Sequence, residues 1–217
     1  MSLEQLYKDE YVILKKLYGE AKVQEDIRRL NIIHKYTKNI WNGYINNIPG
    51  KRVKYLLIAE APPWSPSKRP QYFLDPKSKS RTLMRAFRNA LFPNNVNEDP
   101  KLTIDKFAGA GLLLIDSLPF SMDYGSKRYC NGYKELIDLC VRSYMLNKLN
   151  KCGLVFDKKL KIILGYELNA RAVIKSLDGK IKLSGNIYFI DQNLICTNGS
   201  HYPDAKRIKT IFGLDAV

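Results

Sequence analysis

The sequence predicts an α/β protein: a three-layer α/β/α sandwich with a central, mainly parallel four-stranded sheet. Two observations carry this. Short runs that are apolar throughout recur along the chain, among them Leu56-Leu57-Ile58 and Gly111 to Asp116 ("GLLLID"), and stretches with helical spacing separate them. A strand apolar on both faces needs cover on both faces, as in a parallel sheet flanked by helices. A third observation sets the size. The chain has 217 residues and 45% hydrophobic content, enough for one core and one domain spanning 1–217.

The elements follow in order. Leu3, Leu6, Tyr7, Leu14, Leu17 and Tyr18 repeat at helical spacing, and a second helical stretch runs from about Val23 to Tyr44 with Ile27, Leu30, Ile33 and Trp41 on its faces. Pro49-Gly50 closes this N-terminal helical arm, at about residues 1–48. The first strand covers about Lys54 to Ala59. Pro62 and Pro63 then forbid both a helix and further ladder pairing, so a loop follows. A basic amphipathic helix occupies about Ser80 to Leu91, and Asn94-Asn95 and Pro100 mark a loop. GLLLID is the second strand, ended by Pro119. Tyr133 to Leu149 is helical. Lys161 to Leu164 is a third short strand, stopped at Gly165, and Asn169 to Leu177 a helix. Ile187 to Ile190 and Leu194 to Thr197 read as short strands around Asp191-Gln192-Asn193, a hairpin candidate. Asp204 to Phe212 is helical again.

Thirty-six Lys and Arg against 21 Asp and Glu give a net charge of +15. Such an imbalance specifies no fold but favours a polyanionic partner such as nucleic acid. The excess is uneven. Between Trp64 and Phe92 lie Lys68, Arg69, Lys77, Lys79, Arg81, Arg85 and Arg88, against Asp75 alone. Aromatic residues are interleaved with them, as in grooves that track a nucleic-acid backbone. Arg81, Arg85 and Arg88 share one helical face, and Lys206 adds a cation in the last helix. The plainer alternative is a solvated basic face. The four cysteines, Cys130, Cys140, Cys152 and Cys196, form no CxxC pair, so neither a metal nor another cofactor is expected. No apolar run approaches the roughly 20 residues of a bilayer span. Glu4, Asp9 and Glu10 within a helical pattern do not read as a signal peptide. The expectation is an intracellular monomer in the cytoplasm, associated with nucleoid or nucleus if it acts in repair.

In open parallel sheets, ligands sit outside the carboxyl ends of the strands. Strand one delivers Glu60 there, strand two Asp116, strand three Gly165 and Tyr166, and the last segment Asn198, Gly199, Ser200 and His201.

These residues resemble the uracil-DNA glycosylase superfamily. "LLIAEAPPW" looks like its first motif, in the "GEAPG" form of the iron–sulfur branch. Phe73 lies 14 residues after Ala59, close to where that branch places its base-stacking phenylalanine. "GLLLIDSLPF" resembles the strand carrying a base-reading Asn, with Asp116 in the Asn position. "KIILGYELNARAVI" looks like the third strand and its helix. "LICTNGSHYP" sits where the superfamily has a His-Pro-Ser loop, with Asn198 at the expected His position and His201 three residues later. Together these cover about residues 54 to 212. Ala59 and Pro63 replace the glycines of the first motif, and no cysteine precedes Cys130, so the cluster ligands are missing.

The resemblance implies hydrolysis of an N-glycosidic bond after a base is flipped out of the stack. Phe73, or its neighbour Tyr72, would hold the base; core packing is the alternative. Glu60 would orient water and face the positive charge developing on the sugar; a loop cap, or a partner for Lys68, is the alternative. His201 or Asn198 would donate to the departing base, and Ser200 would position a phosphate. Ionised Asp116 only accepts hydrogen bonds and suits a donor-rich base edge, whereas a buried, protonated Asp116 would also donate; capping the "SLPF" turn is the alternative. Two other readings stay open: a non-catalytic DNA-binding module of this fold, and an enzyme acting on free nucleotides or another small molecule.

Overall fold

The computed structural model describes residues 2–64, 71–78, 82–95, 99–197 and 203–214. The N-terminal arm is α1 (Leu3–Leu6), α2 (Lys8–Tyr18) and α3 (Glu20–Asn46). The expected single helix over residues 3–18 is interrupted at Tyr7, whose φ of −134° and ψ of 62° are not helical. Strand β1 (Arg52–Ala59) follows, then α4 (Thr82–Leu91) and α5 (Pro100–Gly109). Helix α5 stands where Pro100 was expected to mark a loop. Asp99 accepts a hydrogen bond from the Lys101 amide at 2.6 Å and Pro100 takes the first helical position, where its missing N–H costs nothing.

Strand β2 (Leu112–Asp116) is buried along its whole length. Helices α6 (Asn131–Cys140) and α7 (Asn147–Lys151) flank a π-helical stretch, Val141–Leu146. Strand β3 (Val155–Leu164) is longer than its apolar end suggested, and α8 (Glu167–Ser176) follows. The hairpin is formed by β4 (Lys180–Leu183) and β5 (Asn186–Phe189), one element earlier in the chain than expected. Its two-residue turn has φ of +49° at Ser184 and +81° at Gly185, the both-positive geometry that matches strand twist. Helix α9 (Ala205–Phe212) comes last, capped by Asp204.

The sheet order is β2-β1-β3, all parallel. This corrects the expected four-stranded sheet: among the described residues it has three strands. The segment expected as the last strand, Leu194 to Thr197, follows a single-turn helix, Gln192–Leu194, and makes only isolated bridges among the described residues, Ile195 to Leu164 in parallel and Thr197 to Pro203 antiparallel. Asp191 accepts from the Asn193 amide at 2.7 Å, and this local bond competes with an extended ladder.

Side chains alternate faces along β1. Tyr55 meets Phe212 of α9 with ring centroids 4.5 Å apart, while Glu60 meets Tyr133 of α6. Helices therefore lie on both faces. The open edge of β2 is covered by α3, whose Trp41 Nε1 donates to the Leu114 carbonyl at 2.7 Å and whose Tyr44 hydroxyl donates to the Leu112 carbonyl. Among the described residues no helix is long and apolar enough to cross a membrane.

Candidate functional site

At the carboxyl edge of the sheet lies a cavity of about 210 Å³. Glu60 and Asp116 reach it from the ends of β1 and β2, Tyr72 and Phe73 from the loop after β1, Tyr166 from the end of β3, and Met84 from α4. Glu60, Asp116, Tyr72 and Phe73, each a candidate from the sequence, thus border one space. Asn198, Ser200 and His201, expected beside them, lie outside the described residues, as do Lys68, Arg69, Lys79 and Arg81.

Glu60 is 6% exposed and fully engaged. Arg128 grips it in a fork, Nε to Oε1 at 2.7 Å and Nη2 to Oε2 at 2.5 Å, and the Tyr133 hydroxyl donates to Oε1 at 2.6 Å. A carboxylate can leave water at this depth because its charge is met by a guanidinium and by several donors. The network continues. Asn169 Nδ2 donates to the Tyr133 hydroxyl at 3.2 Å and to Ser117 Oγ at 2.9 Å, and Ser117 Oγ donates to the Glu60 carbonyl at 2.9 Å. The Leu118 amide donates to the same carbonyl at 2.8 Å. Ser121 Oγ donates to the Pro63 carbonyl at 2.9 Å, which fastens the proline loop to the chain after β2. Arg128, a residue distant in sequence, thus partners the Glu60 side chain, while Lys68, the partner weighed from the sequence, lies outside the described residues.

Asp116 is 4% exposed. Burial pushes its carboxyl up to about 7, against the opposing pull of the Lys148 ammonium. Its place opposite Ala59 in the β1–β2 register puts it on the face away from Glu60. Tyr72 is buried, and its phenol is raised well above its ordinary range by burial first and by Asp116 next. Phe73 is also buried. Its ring lies nearly parallel to Phe107 at 5.6 Å between centroids and edge-on to Phe87 at 5.9 Å. Core packing and cavity lining are thus combined in one residue. The loop carrying this pair is anchored by Asp75, whose carboxylate accepts from the Tyr36 hydroxyl of α3 at 2.7 Å and the Lys77 amide at 2.9 Å.

Of the expected DNA contacts, Arg85 on α4 and Lys206 on α9 are exposed. Arg88 is half-buried, and its buried Nε has no hydrogen-bond partner among the described residues. The two helices pack together, Phe87 against Phe212 at 6.0 Å. All four cysteines are free thiols, and among the described residues no three His, Cys, Asp or Glu side chains assemble as a metal site.

Arg128, Tyr133, Ser117 and Asn169 have no mark in the sequence that singles them out as site residues. Ser117 comes nearest to one, since it directly follows Asp116 at a strand exit. Arg128 and Tyr133 lie 68 and 73 residues from Glu60, in segments with no strand or motif to point at them.

No family model, no curated protein and no solved structure matches this chain.

Proposed function

We propose that this protein binds DNA, admits an extruded base to the cavity at the carboxyl edge of its sheet, and hydrolyses the N-glycosidic bond. In this reading it is a relative of the uracil-DNA glycosylase superfamily with that family's three-layer α/β/α architecture. One observation carries the proposal: Glu60 and Asp116, leaving adjacent parallel strands, border the same cavity as the aromatic pair Tyr72 and Phe73. Chemistry on a base in DNA requires such a pocket, with polar groups for the base edge and apolar groups for its faces. The parallel Leu164–Ile195 bridge supports the architecture, since it stands where a fourth strand would pair. A neutral Asp116 carboxyl owns both a donor and an acceptor, the pair that uracil's O4 and N3–H require. As water adds to the sugar, the base departs with the bonding electrons and takes up the proton the water releases, while the negative charge of Glu60 stabilises the positive charge developing on the sugar.

The test is incubation with single- and double-stranded oligonucleotides bearing uracil, hypoxanthine, xanthine or mismatched thymine, followed by alkali. Alkali-labile sites at one of these bases are expected. Intact strands across the whole panel would overturn the hydrolase reading.

A second reading, a DNA-binding module of the same fold without catalysis, is favoured by one feature. The Glu60 carboxylate is already held by Arg128 and Tyr133, which leaves it less free to activate water. Salt-dependent binding without turnover would select this reading.

A further inference from the structure

A second cavity, of about 400 Å³, opens between α3 and the helical stretch from Tyr144 to Lys151, on residues the first site does not use. From α3 it takes His34, Lys38 and Trp41, which fall at i, i+4 and i+7 and so share one face. From the opposite wall it takes Tyr144, Lys148 and Lys151. Among the described residues, three ammonium groups therefore border it, and no acidic side chain does. Lys148 Nζ sits 4.1 Å from the centre of the Trp41 ring and 3.3 Å from the Tyr144 hydroxyl. Lys38 and Lys151 are exposed and make no ion pair among the described residues. The ring nitrogens of His34 make no hydrogen bond within the described residues, and burial together with Lys148 and Lys38 keeps the imidazole neutral, at about 4. The wall itself is unusual. Tyr144 belongs to the π-helical stretch Val141–Leu146, a conformation rare in proteins and recurrent at functional sites.

We propose that this second cavity binds a small organic phosphate monoester, with Lys38, Lys148 and Lys151 meeting the phosphate and the aromatic wall meeting the organic part. Three ammonium groups with no acid on the lining favour a group carrying close to two negative charges, and such a group would oppose the burial that draws Lys148 down to about 8, as Asp116 behind it already does in part. Lysines alone, with no planar guanidinium fork, suit the tetrahedral phosphate better than a flat carboxylate. Apolar lining with a few convergent polar groups is the general form of a small-molecule site. The assignment does not depend on what the first cavity holds.

Trp41 reports on the site directly, because Lys148 lies over its ring. The chain has two tryptophans, so a Trp64→Phe protein isolates the signal of Trp41. Thymidine 5′-monophosphate is expected to change its emission saturably, and thymidine is not. In a Lys38→Gln/Lys151→Gln protein, which alters exposed side chains only, affinity should fall by about tenfold or more, the worth of one charge-assisted contact. The proposal is overturned if the nucleotide gives no saturable change, if thymidine binds equally well, or if the double variant binds unchanged. Stronger competition by a 5′-phosphorylated oligonucleotide than by the mononucleotide would likewise overturn the small-molecule assignment.

Discussion

Glu60 and Asp116 leave neighbouring strand ends and have opposite electrostatic circumstances. Glu60 is matched by Arg128, whose own proton is held more tightly by that carboxylate. With the Glu60 side chain 8% exposed and that of Arg128 27%, the pair lies between surface and interior. Removing one partner strands the other, whereas exchanging both does not. A denaturation cycle of Glu60→Gln, Arg128→Gln and the double variant should give a coupling of about 2 kcal/mol, well above the roughly 0.2 to 1 kcal/mol of exposed pairs. Coupling near zero would remove the bridge as a structural element. Among the described residues Asp116 has no such fork. Facing Lys148 and the neutral phenols of Tyr72 and Tyr144, it keeps its proton up to about 7, whereas an unfolded carboxyl releases it near pH ~4. Between those values the folded state binds more protons than the unfolded one, so this group makes stability fall as pH rises. Asp116→Asn should abolish that fall, its advantage over the parent growing from about pH 4 to about pH 7. Parallel pH profiles for parent and variant would mean that Asp116 is ionised in the fold, and the match to uracil would go with it.

Among the elements, α3 does the most to position the sheet. Edge strands expose unpaired carbonyls, and β2, apolar from Leu112 to Ile115, would be a hazard if left open. Trp41 and Tyr44, three residues apart on α3, donate to the Leu114 and Leu112 carbonyls, two residues apart on β2. Tyr44→Phe removes one of these donors and leaves a buried carbonyl unmet, so about 1 to 2 kcal/mol of stability should be lost. Urea denaturation checks this, and an unchanged midpoint would mean that Tyr44 contributes packing alone. The sequence made α3, β1 and β2 legible because their apolar spacing is long and unbroken. It did not make β4 legible. Lys180-Ile181-Lys182-Leu183 alternates and Ser184-Gly185 is a hairpin turn, but the stretch is short and half charged, and Ile187 to Ile190 next to it is the stronger apolar run. Helix α5 was hidden by Pro100, which breaks a helix in its interior but begins one at its first position. The site was legible where topology dictates it, at the strand exits. It was not legible where distant segments supply the partners, as Arg128, Tyr133 and Asn169 do for Glu60.

At the scale of the whole molecule, a net charge of +15 demands an anionic partner or a reason to carry the self-repulsion. The geometry narrows where a polyanion would lie. Thr82, Leu83 and Met84, in the first turn of α4, line the cavity at the sheet edge, and the exposed Arg85 follows them directly. Lys206 is exposed on α9, which packs against α4. Arg88 sits deeper, with a buried Nε, and is the poorest candidate of the three to meet a phosphate. A strand entering the first cavity would therefore meet Arg85 first, with Lys206 on the adjoining helix. Each phosphate neutralised by a cation releases counterions, so the dependence of affinity on salt counts the phosphates so met. The Arg85→Gln/Lys206→Gln protein should keep its fold, since both side chains are exposed. Its slope of log affinity against log salt should be shallower than the parent's by about 1 for each cation that meets a phosphate in the parent. Measured by anisotropy with a labelled single-stranded oligonucleotide over a salt series, an unchanged slope would place the DNA path away from α4 and α9. A shallower slope with base removal intact on saturating DNA would separate this footprint from the cavity it is proposed to serve.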